Sequence, residues 1–156
     1  MKQYSDEIDA QDLIILRELQ SNTITNVELA RRINLSAPAT HARVKRLEAL
    51  GYLKHTKAIL DREKLGFELL CFITVALQMH KPDEVARFRE TVINAPEVLE
   101  CHHVTGDYDY ILKVALRGRQ DLQRFLMDVL TPIEAVARLH TRVVLDEVKS
   151  TTALPL

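Results

Sequence analysis

The 156 residues suffice for one ordinary domain or two small ones. Hydrophobic residues make up 47% of them and charged residues 28%, which supplies a packed core and excludes a disordered chain. The formal net charge is only −1, but residues 31–57 carry Arg31, Arg32, Arg43, Lys45, Arg46, Lys54 and Lys57 against Glu48 alone, a local balance of +6, while residues 63–156 carry −3. A basic run by itself is more often a solvated face than a binding surface. Set in a mildly acidic chain, it is also the electrostatic footprint of a polyanionic partner.

Other classes are disfavoured early. The most apolar run, Leu69 to Leu77, is far shorter than the ~20 residues of a membrane span. The opening Met1–Glu7 is polar and acidic, so no secretory signal is expected. Cys71 and Cys101 are the only cysteines and form no CxxC pair, so no disulfide scaffold is expected either. The expected location is cytoplasmic.

In chain order, Asp9 is placed to cap a helix reaching about Gln20, with Ile15, Leu16 and Leu19 on one side. After a break at 21–24, Thr25 and Glu28 have capping-box spacing, and Val27, Ala30 and Ile33 give the second helix its apolar stripe. Ser36 caps a third helix, with Pro38 in the first turn, where a missing N–H is harmless. Ala37, Thr40, Val44 and Leu47 fall on its inner side. Ala39, Ala42, Arg43 and Arg46 fall on the outer side, with Lys45 at the border. Gly51 stands where a helix end favours a left-handed residue. Residues 52–60 then read as two short strands, a wing carrying Lys54, His55 and Lys57 beside the phosphate backbone.

Two short helices, a tight turn and a basic outer face on the second helix are what a major-groove reader requires. The expected partner is double-stranded DNA. The expected contact residues are Ser36, Pro38, Ala39, Thr40, His41, Ala42, Arg43, Lys45 and Arg46 on the helix, with Lys54 and Lys57 on the wing. Small residues let the helix approach base edges, and arginines pair with guanine or phosphate.

The run Glu28-Leu29-Ala30-Arg31-Arg32-Ile33-Asn34-Leu35-Ser36-Ala37-Pro38, followed by Arg43–Glu48 and Gly51-Tyr52-Leu53, resembles the DNA-binding segment of the Lrp/AsnC family. It departs from that family at two points. Asn34 stands where the turn usually has Gly, and Asn tolerates left-handed backbone. Thr40 occupies an inward position that is more often apolar.

Residues 61–68 have the composition of a linker. A strand is expected at 69–79, with Cys71, Ile73, Val75, Leu77 and Met79 on one face and Phe72, Thr74, Ala76 and Gln78 on the other. A helix capped by Asp83 runs to Asn94 with Val85, Phe88 and Val92 inward, and Pro96 ends the segment. Strands at 97–105 and 108–117 are joined at Thr105-Gly106-Asp107. A helix at 119–130 turns Leu122, Phe125, Leu126 and Val129 inward, and a last strand spans 135–148. The order predicts a ferredoxin-like βαββαβ sandwich. The whole chain is thus α+β: a winged helix-turn-helix domain (1–60), a linker (61–68) and a second domain (69–156). Helices on one sheet face leave Phe72, Thr74 and Ala76 bare on the other, which predicts a homodimer.

The family resemblance extends through this half, to Val104–Tyr110 and to the tail Glu147–Leu156. It implies an effector-binding and assembly domain, a free amino acid or related metabolite bound at a subunit interface, and dimers that build tetramers or octamers. The implied effector residues are Val104, Thr105, Gly106, Asp107, Tyr108 and Asp109, with Thr152 of the tail. Asp107 or Asp109, with Asp109 preferred, would accept from the ligand's ammonium, and backbone N–H groups around Gly106 would meet its carboxylate. On spacing alone Gly106-Asp107 is an ordinary hairpin turn. No cofactor, metal or catalytic residue is expected. Cys101-His102-His103 alternate across a strand and cannot converge on one ion. The competing reading is an enzyme. Haem-pathway decarboxylases share this two-domain architecture, and His102, His103, Arg138 and Arg142 would have to line a tetrapyrrole cleft. The basic outer face of the third helix favours the DNA-binding reading.

Overall fold

Asp9 and Asp12 start the first helix, α1 (Ala10–Ser21), by capping each other: Asp9 Oδ1 accepts from the Asp12 N–H at 2.8 Å, and Asp12 Oδ2 accepts from the Asp9 N–H at 3.1 Å. The computed structural model describes residues 8–21, 24–54, 58–78 and 81–156. They fall into two units, one comprising the chain up to Ala58 together with Lys149–Leu156, the other Ile59–Val148.

In the first unit α2 (Asn26–Arg32) begins at Thr25, whose hydroxyl accepts from the Glu28 N–H at 3.2 Å. The Glu28 carboxylate goes to Arg31 (3.0 Å) and Arg32 (3.4 Å). The turn after α2 depends on Asn34, which takes φ 55° so that the Leu35 N–H can reach back to Ala30 O at 3.0 Å. The left-handed Asn expected from the sequence is therefore present. α3 (Ala37–Ala49) starts at Ser36, whose Oγ accepts from the Ala39 N–H, and stops at Gly51. With φ 80° there, the Tyr52 N–H bonds to Leu47 O and the Gly51 N–H to Glu48 O, both at 3.0 Å. Ile15, Leu16, Leu29, Ile33, Val44 and Leu47 form the core. Val27, expected in the α2 stripe, points outward. Leu29 and Ile33 set the buried face, and Val27 lies about half a turn from Leu29.

No strand of the expected wing is found among the described residues. Residues 52–54 and 58–60 are coil, while His55 and Lys57 lie outside the described residues. A two-stranded ribbon needs a surface to pack on, and Ile59 and Leu60 are left exposed. The tail, expected to belong with the second domain, joins the first unit. Gln20 Nε2 donates to Leu154 O (2.7 Å), Gln20 Oε1 accepts from the Leu154 N–H (2.9 Å), and Arg17 Nε donates to Leu156 O (3.0 Å). Leu156 packs against the helical core.

The second unit runs β1 (Leu69–Leu77), α4 (Pro82–Asn94), β2 (Val98–His103), β3 (Tyr110–Leu116), α5 (Arg119–Arg124) continued by a π-helical turn (Phe125–Leu130), and β4 (Val136–Val143). The sheet order is β2-β3-β1-β4, antiparallel throughout, so this is the expected ferredoxin-like α+β arrangement. Cys71, Ile73 and Val75 of β1 join Leu112 and Val114 of β3 beneath Phe88, Val92, Phe125 and Leu130. α4 starts one residue before Asp83, at Pro82, and has no side-chain cap. β4 ends at Val143 because β1 ends: after the Val144 N–H bonds to Leu70 O, no partner strand remains. Residues 61–68 form an ordered turn within this unit. Asp61 Oδ1 accepts from the Glu63 and Lys64 N–H groups at 3.1 Å, and Arg62 donates to Phe67 O at 2.8 Å.

On the sheet face away from the helices, Phe72, Thr74 and Ala76 pair in register with Arg142, His140 and Arg138 of β4. The face is therefore half apolar and half basic. Thr74 is nearly buried: its hydroxyl donates to His140 O (3.3 Å) and accepts from Arg142 (3.4 Å). No helix among the described residues is long and apolar enough to cross a membrane.

Candidate nucleic-acid interface and effector loop

Because Val44 and Leu47 turn inward, α3 presents Ser36, Pro38, Ala39, His41, Ala42, Lys45 and Arg46 to solvent. Lys54, just past the helix, is also exposed. His41 is oriented by α2: the Asn26 side-chain amide lies 3.1 Å from its Nδ1. An amide NH2 can only donate, which leaves the Nε2–H pointing away as a donor. Lys45 pairs with Glu48 at 3.0 Å.

Thr40 must be removed from the contact set. It is 0% exposed, on the same face as Val44 and Leu47, and its hydroxyl has no hydrogen-bond partner among the described residues. Arg43 is also not the outward reader expected. Its Nη1 donates to Asp9 (2.7 Å) and to Asp12 (2.8 Å), so the side chain runs back onto α1. Arg46 bonds to Asp12 as well, though its side chain remains partly exposed. These bonds hold the Asp9 carboxyl below its ordinary value, chiefly through Arg43, and push the Arg43 guanidinium higher still through Asp9 and Asp12. Arg32 is likewise raised by Glu18 and Glu28. The +6 stretch thus meets acids from outside its own window, and the first unit's charge is more balanced than that window suggests.

Sequence reasoning missed Asp12. The only available signal was an acid three residues after a cap, on the side of α1 that carries Ile15 and Leu16. That spacing suggests helix initiation and gives no hint of the arginines it meets.

The second candidate site is the β2–β3 connection. Gly106 has φ 116°, a conformation L side chains rarely adopt, although nothing lies within 4 Å of where a Cβ would stand. Asp109 anchors the loop. Its Oδ2 accepts from the Leu77 N–H (2.7 Å), its N–H donates to Val75 O, and its carbonyl accepts from the Val104 N–H (both 2.9 Å). Asp107, Thr105 and Gly106 are exposed, and Val104 and Tyr108 half-buried. The Arg138 guanidinium lies 4.9 Å from the Tyr108 ring centroid, and His140 meets the same ring edge-on at 6.5 Å. Thr152 is exposed in the tail of the first unit. A cleft of about 560 Å³ in the second unit is lined by Leu60, Arg62, Leu70, Leu99, Lys113 and Leu145, none of them in the loop. Its rim residues Ile59 and Leu145 are almost wholly exposed, so it is an open groove rather than a formed ligand pocket.

Of the residues of the competing enzyme reading, His102 shares the open sheet face with Arg138 and Arg142 but stands on the opposite edge strand, and His103 lies on the other face. His102 pairs with Glu100 at 2.9 Å, which lowers the Glu100 carboxyl from its ordinary value. His103 stacks on Tyr110 at 4.8 Å, on the helix-covered face, opposite Arg138 and Arg142.

A helix-turn-helix unit with an exposed second helix, together with a ferredoxin-like unit with an anchored glycine loop, is the architecture of a DNA-binding regulator. Comparison with known proteins agrees over nearly the whole chain. Residues 8–54 match the model of a winged helix-turn-helix DNA-binding domain, and residues 70–154 that of the Lrp/AsnC ligand binding domain. The chain is 37% identical to the Bkd operon transcriptional regulator of Pseudomonas aeruginosa, covering 96% of this chain and 99% of that one. It is 36% identical to the leucine-responsive regulatory protein of Haemophilus influenzae, covering 99% and 94%. A Neisseria meningitidis transcriptional regulator solved as an L-Met complex superposes with a TM-score of 0.91 at 35% identity, covering 95% and 96%. E. coli AsnC superposes with a TM-score of 0.84 at 26% identity, covering 94% and 97%. The chain belongs to the Lrp/AsnC family of transcriptional regulators.

Proposed function

We propose that this regulator binds double-stranded DNA through the outer face of α3 and that an amino acid bound at the 104–109 loop tunes its DNA binding or its assembly. Ser36, Pro38, Ala39, His41, Ala42, Lys45 and Arg46 face the groove, and Lys54 contacts phosphate. Arg43 supports the helix from α1 and contributes to DNA contact only through its exposed edge. The observation that carries the effector reading is the division of labour between the two loop aspartates. Asp109 is bonded to β1, whereas Asp107 stands exposed beside Gly106, leaving Asp107 as the acceptor for a ligand ammonium. Backbone N–H groups around Gly106 meet the ligand carboxylate. No cofactor is required.

The half-apolar sheet face around Phe72 is the proposed dimer surface, and dimers assemble further to tetramers or octamers. Several linked reading heads gain avidity on repeated sites. The protein works in the cytoplasm, where its DNA is.

A thermal-shift screen against the twenty amino acids tests the effector assignment. A ligand at 100 times its Kd adds about 2.7 kcal/mol of stability. A shift with one or a few amino acids, lost in Asp107→Ala, is the expected result. No shift with any of them contradicts the amino-acid reading.

A further inference from the structure

Asp12 is fully buried, yet it carries a carboxylate shared by three donors. Oδ1 accepts from Arg43 Nη1 (2.8 Å). Oδ2 accepts from the Asp9 N–H (3.1 Å) and from Arg46 Nη2. Arg43 and Arg46 are one helical turn apart on α3, so a single acid on α1 can hold both. Asp9 completes the group by taking Arg43 at 2.7 Å from the solvent side. A carboxylate in such a place is tolerated only when paired and hydrogen-bonded, and guanidinium groups bonded to it are fixed in direction.

We infer that Asp12 is the positioning residue of the DNA-reading helix: from inside the unit it fixes both arginines and the α1–α3 orientation, and thereby sets sequence discrimination without touching DNA. The inference rests on α3 being the reading helix. Removing the charge while keeping the shape, as in Asp12→Asn, replaces one acceptor oxygen by an amide NH2 set against a guanidinium donor, so the arginines lose their shared carboxylate and are held less firmly. They keep their positive charge, and the unit gains one more. Attraction to phosphate is then kept or strengthened, while the fixed register that discriminates between sequences is lost.

The test compares two duplexes, one selected by the wild-type protein from a randomised pool and one of random sequence, each titrated at several salt concentrations. For Asp12→Asn the selected duplex is expected to bind about tenfold or more weakly, and the random duplex as well as before or up to about threefold tighter. The salt slope should steepen by about one phosphate contact. A fold-support role alone would lower the melting temperature but, measured below it, leave the specificity ratio and the salt slope unchanged. That result overturns the inference. Should Asp12→Asn fail to fold, Asp9→Asn carries the same test, because Asn is as good a cap. Its ratio is expected to fall about threefold, and an unchanged ratio overturns the inference equally. Ala42→Glu, on the exposed face, serves as the control. Unchanged affinity in Ala42→Glu would contradict α3 as the reader, whereas lost affinity there with an unchanged ratio in Asp12→Asn contradicts the Asp12 role alone.

Discussion

Replacing Thr40 by Val removes one buried hydroxyl and leaves the side chain's shape almost intact. In the native unit that hydroxyl is fully enclosed and has no hydrogen-bond partner among the described residues. In the unfolded chain water satisfies it, so folding bears its desolvation, about 1–3 kcal/mol. Thr and Val are both β-branched and differ little in helix propensity, so almost no compensating cost arises from α3. Thr40→Val is therefore expected to stabilise the first unit by about 1 kcal/mol or more. That corresponds to a rise in melting temperature of roughly 4–8 °C per kcal/mol for a domain of this size. Urea unfolding followed by circular dichroism should show a higher midpoint with an unchanged slope. DNA affinity should not change, because the side chain lies beneath the helix. A loss of stability of 1 kcal/mol or more would mean the hydroxyl has a partner. A tenfold loss of DNA affinity in a fully folded variant would return Thr40 to the interface.

Three further outcomes are expected. Asp109→Ala strands the Leu77 N–H and should cost about 1–3 kcal/mol in thermal unfolding, while Asp107→Ala should stay within about 0.5 kcal/mol yet weaken effector binding at least tenfold by calorimetry. Gln20→Ala removes two hydrogen bonds to Leu154 and should cost about 1 kcal/mol, with faster hydrogen exchange at the Leu154 amide as the direct readout. Asp9 is held below its ordinary value of 3.8, so its contribution is complete above that pH and is lost as pH falls below 3.8 through the folded value. In melts across pH, the stability gap between wild type and Asp9→Asn should hold steady from about pH 5 upward and close in more acid solution.

The elements whose signals are local were legible in the sequence. Ser36 with Pro38, Asn34 at the turn and Gly51 at the helix end each satisfy backbone groups within a few residues, so their positions fixed the bounds of α3 to within a residue. The two-residue period of a strand similarly separated the core face of Cys71, Ile73 and Val75 from the face of Phe72. Long-range partners were not legible. Arg43 looked like an outward reader, and Arg46 showed no sign of an acid behind it, until Asp12, 31 and 34 residues away, was brought against them. Asp109 looked the better ligand contact of the two aspartates until the end of β1 offered it an N–H. The run 61–68 looked like a linker because charged residues and Gly are common in linkers, yet Asp61 and Arg62 spend their side chains folding it. Asn26 gave no sign that it would orient His41.

The central claim is that α3 reads DNA and that an amino acid bound in the second unit changes that reading. It is tested most directly by titrating the selected duplex with the intact protein, with and without the amino acid found by thermal shift. A change in apparent Kd of about fivefold or more, abolished by Asp107→Ala, is the predicted result. Tight DNA binding that is indifferent to saturating amino acid would contradict the account.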